Sequence, residues 1–409
     1  MKRIPSYFFI AVFILVTACF LTYQITFSET DKFWKSRIDE MLASKDAAVS
    51  GTLGEIAQTV AENYYYPTEE KVLSDGVLDG YVLALPDNFS MYMNEEEYRN
   101  YLDFTNNTNN IGVGVNTLYD STLDGICVVN VYKGSPAEGA GIVPGDLITH
   151  VDSVPVSKLG YYGVMAKLGT GAENSDVNVT IKKRTGVSVS IVLKKSKVVA
   201  ERISGEKLKN NIGLIRICGF EQGDYELFKE TLESLIVSDC EKFIFDVRNN
   251  AGGNIEVVSK MLDFLVGEGS MFTISDKSGA TNTMTSDANS VPYPLAVIVN
   301  ERTACGAEVF ASVLYANDSA KVFGVPTYGK ASRQNVFKLS SGGAVSLSTA
   351  KYAPAGGADF DGTGIVPNEE VVMGDDLQLR FTTLTKEEDT QLMAAIEYLK
   401  DKKLEGLRD

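Results

Sequence analysis

One histidine and five cysteines limit the nucleophilic chemistry open to this 409-residue chain. The histidine, His150, lies in Leu147-Ile148-Thr149-His150-Val151, a run that reads as a strand and gives it a structural place. A Ser-His-Asp triad or a Cys-His dyad would have to use it, and histidine-rich metal sites are excluded. Without a suitable histidine, a serine nucleophile needs a lysine held neutral by burial as its base. A cysteine asks for less, because its thiol titrates near about 8.5 and a neighbouring ammonium lowers that further. Cys19, Cys127, Cys218, Cys240 and Cys305 show no CxxC pair and no close metal spacing. An extracytoplasmic protein would meet oxidising conditions, but scattered cysteines fit single packing positions. Cys19 falls in an apolar N-terminal run, and Cys305 stands apart for the reasons given below.

Several elements must position any such site. Hydrophobic residues make up 44% of the chain, enough for a sizeable core. The formal net charge of −16 argues against nucleic acid as the main partner, since phosphate binding needs clustered Lys and Arg. Met1-Lys2-Arg3 is basic, residues 4–28 carry no charge, and residues 7–27 are mostly apolar. That run is long enough to cross a bilayer as one helix, with Lys2 and Arg3 inside and Glu29 and Asp31 outside. A cleaved signal peptide, or a lipoprotein signal with Val16-Thr17-Ala18 before Cys19, competes with an uncleaved anchor. The apolar run continues well past Cys19, which favours the anchor.

From residue 31 to 102 the periodicity is helical, with a second helix over 72–85 ended by Pro86-Asp87-Asn88 and a short third over 95–102. Residues 105–110, all Asn and Thr, form a polar linker. Short strands and turns follow to about residue 198, with strands expected over 126–129, 177–181 and 187–193. The last block alternates strands (212–217, 243–247, 295–299) with helix faces. That alternation implies an α/β core with crossover connections and a mostly parallel sheet.

Two parts of the chain resemble known families. Ile111-Gly112-Val113-Gly114-Val115, followed by Gly134-Ser135-Pro136-Ala137-Glu138-Gly139-Ala140-Gly141-Ile142 and Pro144-Gly145-Asp146, resembles a PDZ domain. The resemblance implies that Ile111, Gly112, Val113 and Gly114 cradle a peptide's terminal carboxylate while the peptide adds to a sheet edge. The last block is similar to the carboxyl-terminal processing peptidases of the S41 type. The matching segments are Phe245-Asp246-Val247-Arg248-Asn249-Asn250-Ala251-Gly252-Gly253, residues 299–308 ending Thr303-Ala304-Cys305-Gly306-Ala307-Glu308, Gly324 to Gln334, and Asp361 to Asn368. Leu85-Pro86-Asp87-Asn88-Phe89-Ser90-Met91-Tyr92 matches too. The expected class is therefore α/β and α+β multidomain. Its parts are an anchor over 1–30, a helical N-terminal region over 31–105, a PDZ domain over 106–199 and a peptidase core over 200–409.

In that family a serine attacks the peptide bond, a lysine is the general base and a glutamine four residues later assists. The resemblance places the last two on Lys330 and Gln334, and the nucleophile, twenty-five positions before the lysine, on Cys305. The family segment usually reads Ser-Ala-Ser-Ala-Ser-Glu, so all three serines are replaced here. Beside Lys330 the thiol would rest as a thiolate–ammonium pair, and Lys330 would then protonate the leaving amine. Sulfur is larger than oxygen, so an active Cys/Lys peptidase and a weakened or inactive relative both stay open, as do Thr303 as nucleophile and Cys305 as an inert thiol. The oxyanion formed on attack needs N–H donors. Gly253 of the Gly252-Gly253 pair and Gly306 at a helix start are the expected ones, with a plain strand-to-helix turn as the alternative for the glycine pair. The implied partners are protein or peptide C-termini and, through the anchor, a membrane, with the catalytic part extracytoplasmic. No metal or organic cofactor is expected, and self-association into a homo-oligomer stays open.

Overall fold

The computed structural model describes residues 51–105, 111–119, 123, 125–198, 202–287, 291–357, 359–374, 377–378, 381 and 384–403. The expected membrane anchor, with its apolar run at 7–27, lies outside the described residues. Among the described residues no helix is long and apolar enough to cross a membrane. The chain divides after Leu73 into two compact units. The described part of the first contains helix α1, residues 51–63.

The division falls within helix α2, so the second unit opens inside it, on a helical stretch that is interrupted by a strand. Helix α2 (Glu70–Leu83) is followed by β1 (Met91–Met93) and then α3 (Glu95–Thr105). Asn94 caps α3, its Oδ1 accepting from the N–H groups of Glu96 and Glu97 at 3.0 Å, while Glu97 Oε2 accepts from Asn94 N–H at 2.8 Å. This reciprocal pairing satisfies donors that a helix start leaves open. Sequence periodicity showed only helices here, because a three-residue strand leaves no alternation to read.

The middle module is a small β-domain. Its elements are β2 (Ile111–Gly112), β3 (Val115–Leu118), β4 (Ile126–Val131), α4 (Pro136–Gly139), β5 (Leu147–Val151), β6 (Val154–Pro155), α5 (Val156–Gly169), β7 (Asp176–Lys182), β8 (Ser188–Lys194) and β9 (Ser196–Lys197). The main sheet runs β3-β4-β5-β7-β8, with β6 on β5 and β2 paired to β9. Alternate residues Val177, Val179 and Ile181 point into a core shared with Ile126, Val128, Ile148 and Val164. The short helix α4 has Pro136 at its first turn and Ser135 as its cap, whose Oγ accepts from Glu138 N–H at 3.2 Å. His150 lies half-buried in β5, its Nδ1 3.1 Å from Thr149 Oγ1.

From Ile203 the chain runs β10 (Ile203–Lys207), β11 (Ile212–Ile217), α6 (Asp224–Val237), β12 (Lys242–Asp246) and α7 (Ile255–Asp263). Then come β13 (Gly269–Asp276), β14 (Thr281–Ser286), β15 (Leu295–Val299), α8 (Gly306–Ala316) and β16 (Ala320–Gly324). The last elements are β17 (Ser332–Lys338), β18 (Ala344–Pro354), β19 (Glu369–Glu370) and α9 (Thr390–Lys400). The central sheet has the order β10-β11-β12-β15-β16-β19, parallel except for β10. Both faces are apolar, as a covered parallel sheet requires. Phe243, Phe245, Leu295, Val297 and Val299 meet α6, α7 and α8 on one side. Ile244, Ala296, Ile298 and Phe323 meet Leu392, Ala395 and Leu399 of α9 on the other. Each fully buried Phe, Leu or Ile in these layers contributes about 1.5–3 kcal/mol.

A second sheet is antiparallel, with the order β1-β18-β13-β14 and β17 on the other side of β18. Met91 pairs with Ser346, so the N-terminal stretch is bound into the core more than two hundred residues away. These strands are rich in Ser, Thr and Ala, which is why no strand stood out over 269–286 or 332–354 in the sequence.

Candidate active site

The turn between β15 and α8 carries the sulfur. Asn300 N–H donates to Thr303 Oγ1 at 3.0 Å, and Thr303 Oγ1 donates to Val247 O at 2.9 Å. Thr303 is fully buried and its hydroxyl is committed to holding this turn. Two residues later Cys305 sits immediately before α8 with φ 53° and ψ −117°. A non-glycine residue with positive φ costs of order 1–3 kcal/mol and persists only where the surroundings impose it. Here they do. Cys305 N–H donates to Glu308 Oε2 at 2.9 Å.

Glu308 is the centre of the arrangement. It is fully buried, and its four acceptor positions are filled. Oε1 accepts from Thr327 Oγ1 at 2.5 Å and Gly329 N–H at 2.7 Å; Oε2 accepts from Cys305 N–H at 2.9 Å and Lys330 N–H at 2.8 Å. One carboxylate thus fixes the backbone of both Cys305 and Lys330. Burial pushes the Glu308 carboxyl up, and its donors offset that only in part.

Cys305 is half-buried, and its Sγ donates weakly to Ser332 O at 3.9 Å. Burial pushes the thiol up, the Lys330 charge pulls it down, the Glu308 carboxylate pushes it up, and a hydrogen bond from Gly306 N–H pulls it down. The net direction is up. Burial therefore works against the expected thiolate–ammonium pair, and the lysine charge offsets it only in part. No hydrogen bond joins Lys330 Nζ to the sulfur; the ammonium lies over the Phe89 ring, 4.6 Å from its centroid.

Gly252 and Gly253 lie against the same turn. Both have positive φ, 96° and 144°. A Cβ on Gly252 would stand 2.7 Å from Gly306 N and 2.9 Å from Cys305 Cβ, so only glycine leaves room for the cysteine. A Cβ on Gly253 would meet Phe220 O at 2.3 Å. Gly252 N–H is spent on Asn250 Oδ1 at 2.8 Å. Gly253 is exposed, and its N and that of Gly306 belong to adjoining backbone beside Cys305. Upstream, Arg248 is fully buried between two carboxylates. Its Nε and Nη2 reach Asp246 at 2.8 and 2.7 Å, and Nη1 and Nη2 reach Asp389 at 2.8 and 2.6 Å. Burial alone would raise the Asp246 carboxyl, but Arg248 and then Arg216 hold it down at about 2.

Gln334 lies two residues into β17, the strand that leads away from Lys330. Its Nε2 donates to Ser332 Oγ at 2.9 Å and Ser348 Oγ at 3.0 Å. Ser348 Oγ in turn donates to Asp87 Oδ1 at 3.0 Å. Gln334 thus joins the Lys330 segment to the Asp87–Ser90 turn rather than touching Nζ.

In the middle module, Gly112 and Val113 lie beside α5, and Val113 N–H donates to Leu168 O at 3.1 Å. Ile111 and Gly112 pair with Lys197 and Ser196. Gly114 O accepts from Tyr132 N–H at 2.9 Å. The edge strand β3 faces α5, where Thr117 Oγ1 lies 3.2 Å from Tyr161 Oη and 3.1 Å from Met165 Sδ. The module rests directly on the site's loops. Leu118 and Val129 bury with Ala304, and Cys127, Ala251 and Tyr328 pack around them. Asn116 Nδ2 donates to Cys218 O at 3.4 Å.

Fold and site together define a peptidase core with a peptide-binding module docked beside it. Residues 211–371 match Peptidase family S41, and residues 109–194 match the PDZ domain. The chain belongs to the PDZ-containing carboxyl-terminal processing peptidases of family S41. It is 28% identical over 389 residues to the carboxy-terminal processing protease CtpA of Bacillus subtilis, covering 94% of this chain and 81% of that protein. It is 31% identical over 307 residues to the chloroplastic carboxyl-terminal-processing peptidase 2 of Arabidopsis thaliana, covering 70% of this chain and 58% of that one. Its fold is similar to that of the photosystem II D1 C-terminal processing protease, with a TM-score of 0.66 at 24% identity over 83% of this chain and 92% of the other.

Sequence reasoning gave no role to Glu308, Asp87 or Phe89, although all three lie within quoted motifs. The signal for Glu308 was its place three residues after Cys305, where a helix start takes a carboxylate back to its cap.

Proposed function

We propose that the chain is a membrane-anchored, extracytoplasmic endopeptidase that binds protein C-termini through its PDZ domain and cleaves with a Cys305–Lys330 pair. The observation that carries this reading is Glu308, whose one carboxylate binds the backbone N–H of both residues. In the proposed reaction, substrate entry brings Lys330 Nζ, as the neutral amine, to the sulfur, and its lone pair takes the thiol proton. The thiolate attacks the carbonyl carbon, and the oxyanion takes hydrogen bonds from Gly253 and Gly306 N–H. The ammonium then gives its proton to the leaving amine, and water hydrolyses the thioester with Lys330 as base. Gln334 supports the lysine segment. The residues 111–114 receive the substrate's terminal carboxylate, and the apolar run at 7–27 supports the anchor.

The test is hydrolysis of a tagged, disordered substrate by wild type, Cys305→Ser and Lys330→Ala. Cleavage by wild type that is lost in Lys330→Ala is expected. No cleavage by wild type combined with robust cleavage by Cys305→Ser would sink the cysteine reading and keep the fold. One observation favours a second reading, a pseudopeptidase that holds peptide C-termini: the thiol is pushed up and is not hydrogen-bonded to Lys330. That reading expects peptide binding unchanged in Lys330→Ala and no turnover at any pH.

A further inference from the structure

We propose that Phe89 is the positioning residue for Lys330, its ring face holding the side-chain ammonium on the Cys305 side of the site. This rests on reading Cys305 and Lys330 as a working pair. Lysine carries its charge on a flexible four-carbon stem, so a base of this kind needs something that limits where the ammonium goes. Among the described residues, neither a hydrogen bond nor an ion pair does so for Lys330 Nζ. The ring of Phe89 does, at 4.6 Å to its centroid, a distance at which an aromatic face attracts a cation.

The ring is itself fixed from several directions. Phe89 N–H and Ser90 N–H donate to Asp87 Oδ1 at 2.9 and 2.8 Å, and Ser90 Oγ donates to Asp87 Oδ2 at 2.8 Å. Ser348 clamps the turn onto β18, its Oγ reaching Asp87 at 3.0 Å and its N–H reaching Ser90 Oγ at 3.1 Å. Strand β1 then continues the register on β18. The Phe89 ring also meets Tyr328, two residues before Lys330, at 6.2 Å between centroids. A turn far upstream in sequence therefore forms the wall against which the lysine lies. Burial acts most strongly on the sulfur, and the charged groups acting on it are Lys330 from this segment and Glu308 from α8. Of these only Lys330 is positive, so its placement sets how far the burial penalty on the thiol is offset.

The experiment follows the rate of Cys305 alkylation by iodoacetamide against pH in the full-length chain, with Cys305→Ser giving the background from the other cysteines. It compares wild type, Phe89→Leu, Phe89→Tyr, Lys330→Ala and the Phe89→Leu/Lys330→Ala double variant. Phe89→Leu should slow labelling near neutral pH by about three- to tenfold and move its midpoint to higher pH. Phe89→Tyr, which keeps the aromatic face, should restore both. In the Lys330→Ala background Phe89→Leu should add nothing. An unchanged or faster rate in Phe89→Leu, or an equal effect with and without Lys330, overturns the proposal. A wild-type rate that ignores Lys330 altogether removes the catalytic pair first, and the role of Phe89 with it.

Discussion

At the residue scale, the site is organised around a carboxylate rather than around its reactive groups. Glu308 accepts four hydrogen bonds from three segments: the turn before α8, Thr327, and the stretch Gly329–Lys330. Glu308→Gln keeps the shape but turns one acceptor into a donor that faces existing donors. Each buried donor so orphaned costs about 1–3 kcal/mol. We expect a lower midpoint of denaturant unfolding together with loss of selective Cys305 labelling; a variant with wild-type stability and labelling would show that the carboxylate's charge is not needed. Little of this was legible beforehand. The order and spacing of the Cys305, Lys330 and Gly252-Gly253 segments pointed to candidate reactive residues, because such patterns survive in one dimension. Glu308's partners are set by three loops converging, which leaves no spacing to read.

At the scale of elements, Arg248 joins the end of β12 to the start of α9. Asp389 caps α9 with its Oδ1 accepting from Leu392 N–H at 3.0 Å, and both of its oxygens also take Arg248. Removing the guanidinium leaves buried Asp389 without its Arg248 partner and Asp246 with Arg216 alone. Arg248→Met should destabilise by about 3–5 kcal/mol, read from thermal or denaturant unfolding. The sign with pH also follows. The Asp246 carboxyl is held at about 2, below its unfolded value, so its contribution is present above that value and is lost as pH falls towards 2. Arg248→Met should flatten that acid limb. The parallel sheet itself was legible, since apolar runs such as Phe243–Val247 are what two covered faces demand. The antiparallel sheet was not: β14, Thr-Asn-Thr-Met-Thr-Ser, has a mostly exposed pattern and reads as loop.

At the scale of the whole second unit, α3 packs on α5 of the PDZ domain. Glu97 lies at that seam, where a Cβ on Gly160 would stand 2.5 Å from its Oε1. Burial, then Asp79, Asp75 and Glu96, push its carboxyl up to about 7. A carboxyl raised in the folded state stabilises most while it is protonated in both states. Its contribution is full below the unfolded value and falls away as pH rises to about 7. Unfolding measured across this window should show stability declining with pH in wild type and a flatter profile in Glu97→Gln; identical profiles would remove Glu97 from the seam's energetics.

The burial around the turn that carries Cys305, beside the PDZ domain's seat on Ala304, has a chemical consequence if the proposed thiol nucleophile holds. Peroxide and other oxidants react with thiolate, climbing from sulfenic to irreversible sulfinic and sulfonic acid. A thiol pushed up by burial offers those reagents less thiolate. On the proposed reading of Cys305 as nucleophile, the burial that withholds reactivity in the resting protein also keeps the sulfur for substrate rather than for ambient oxidant.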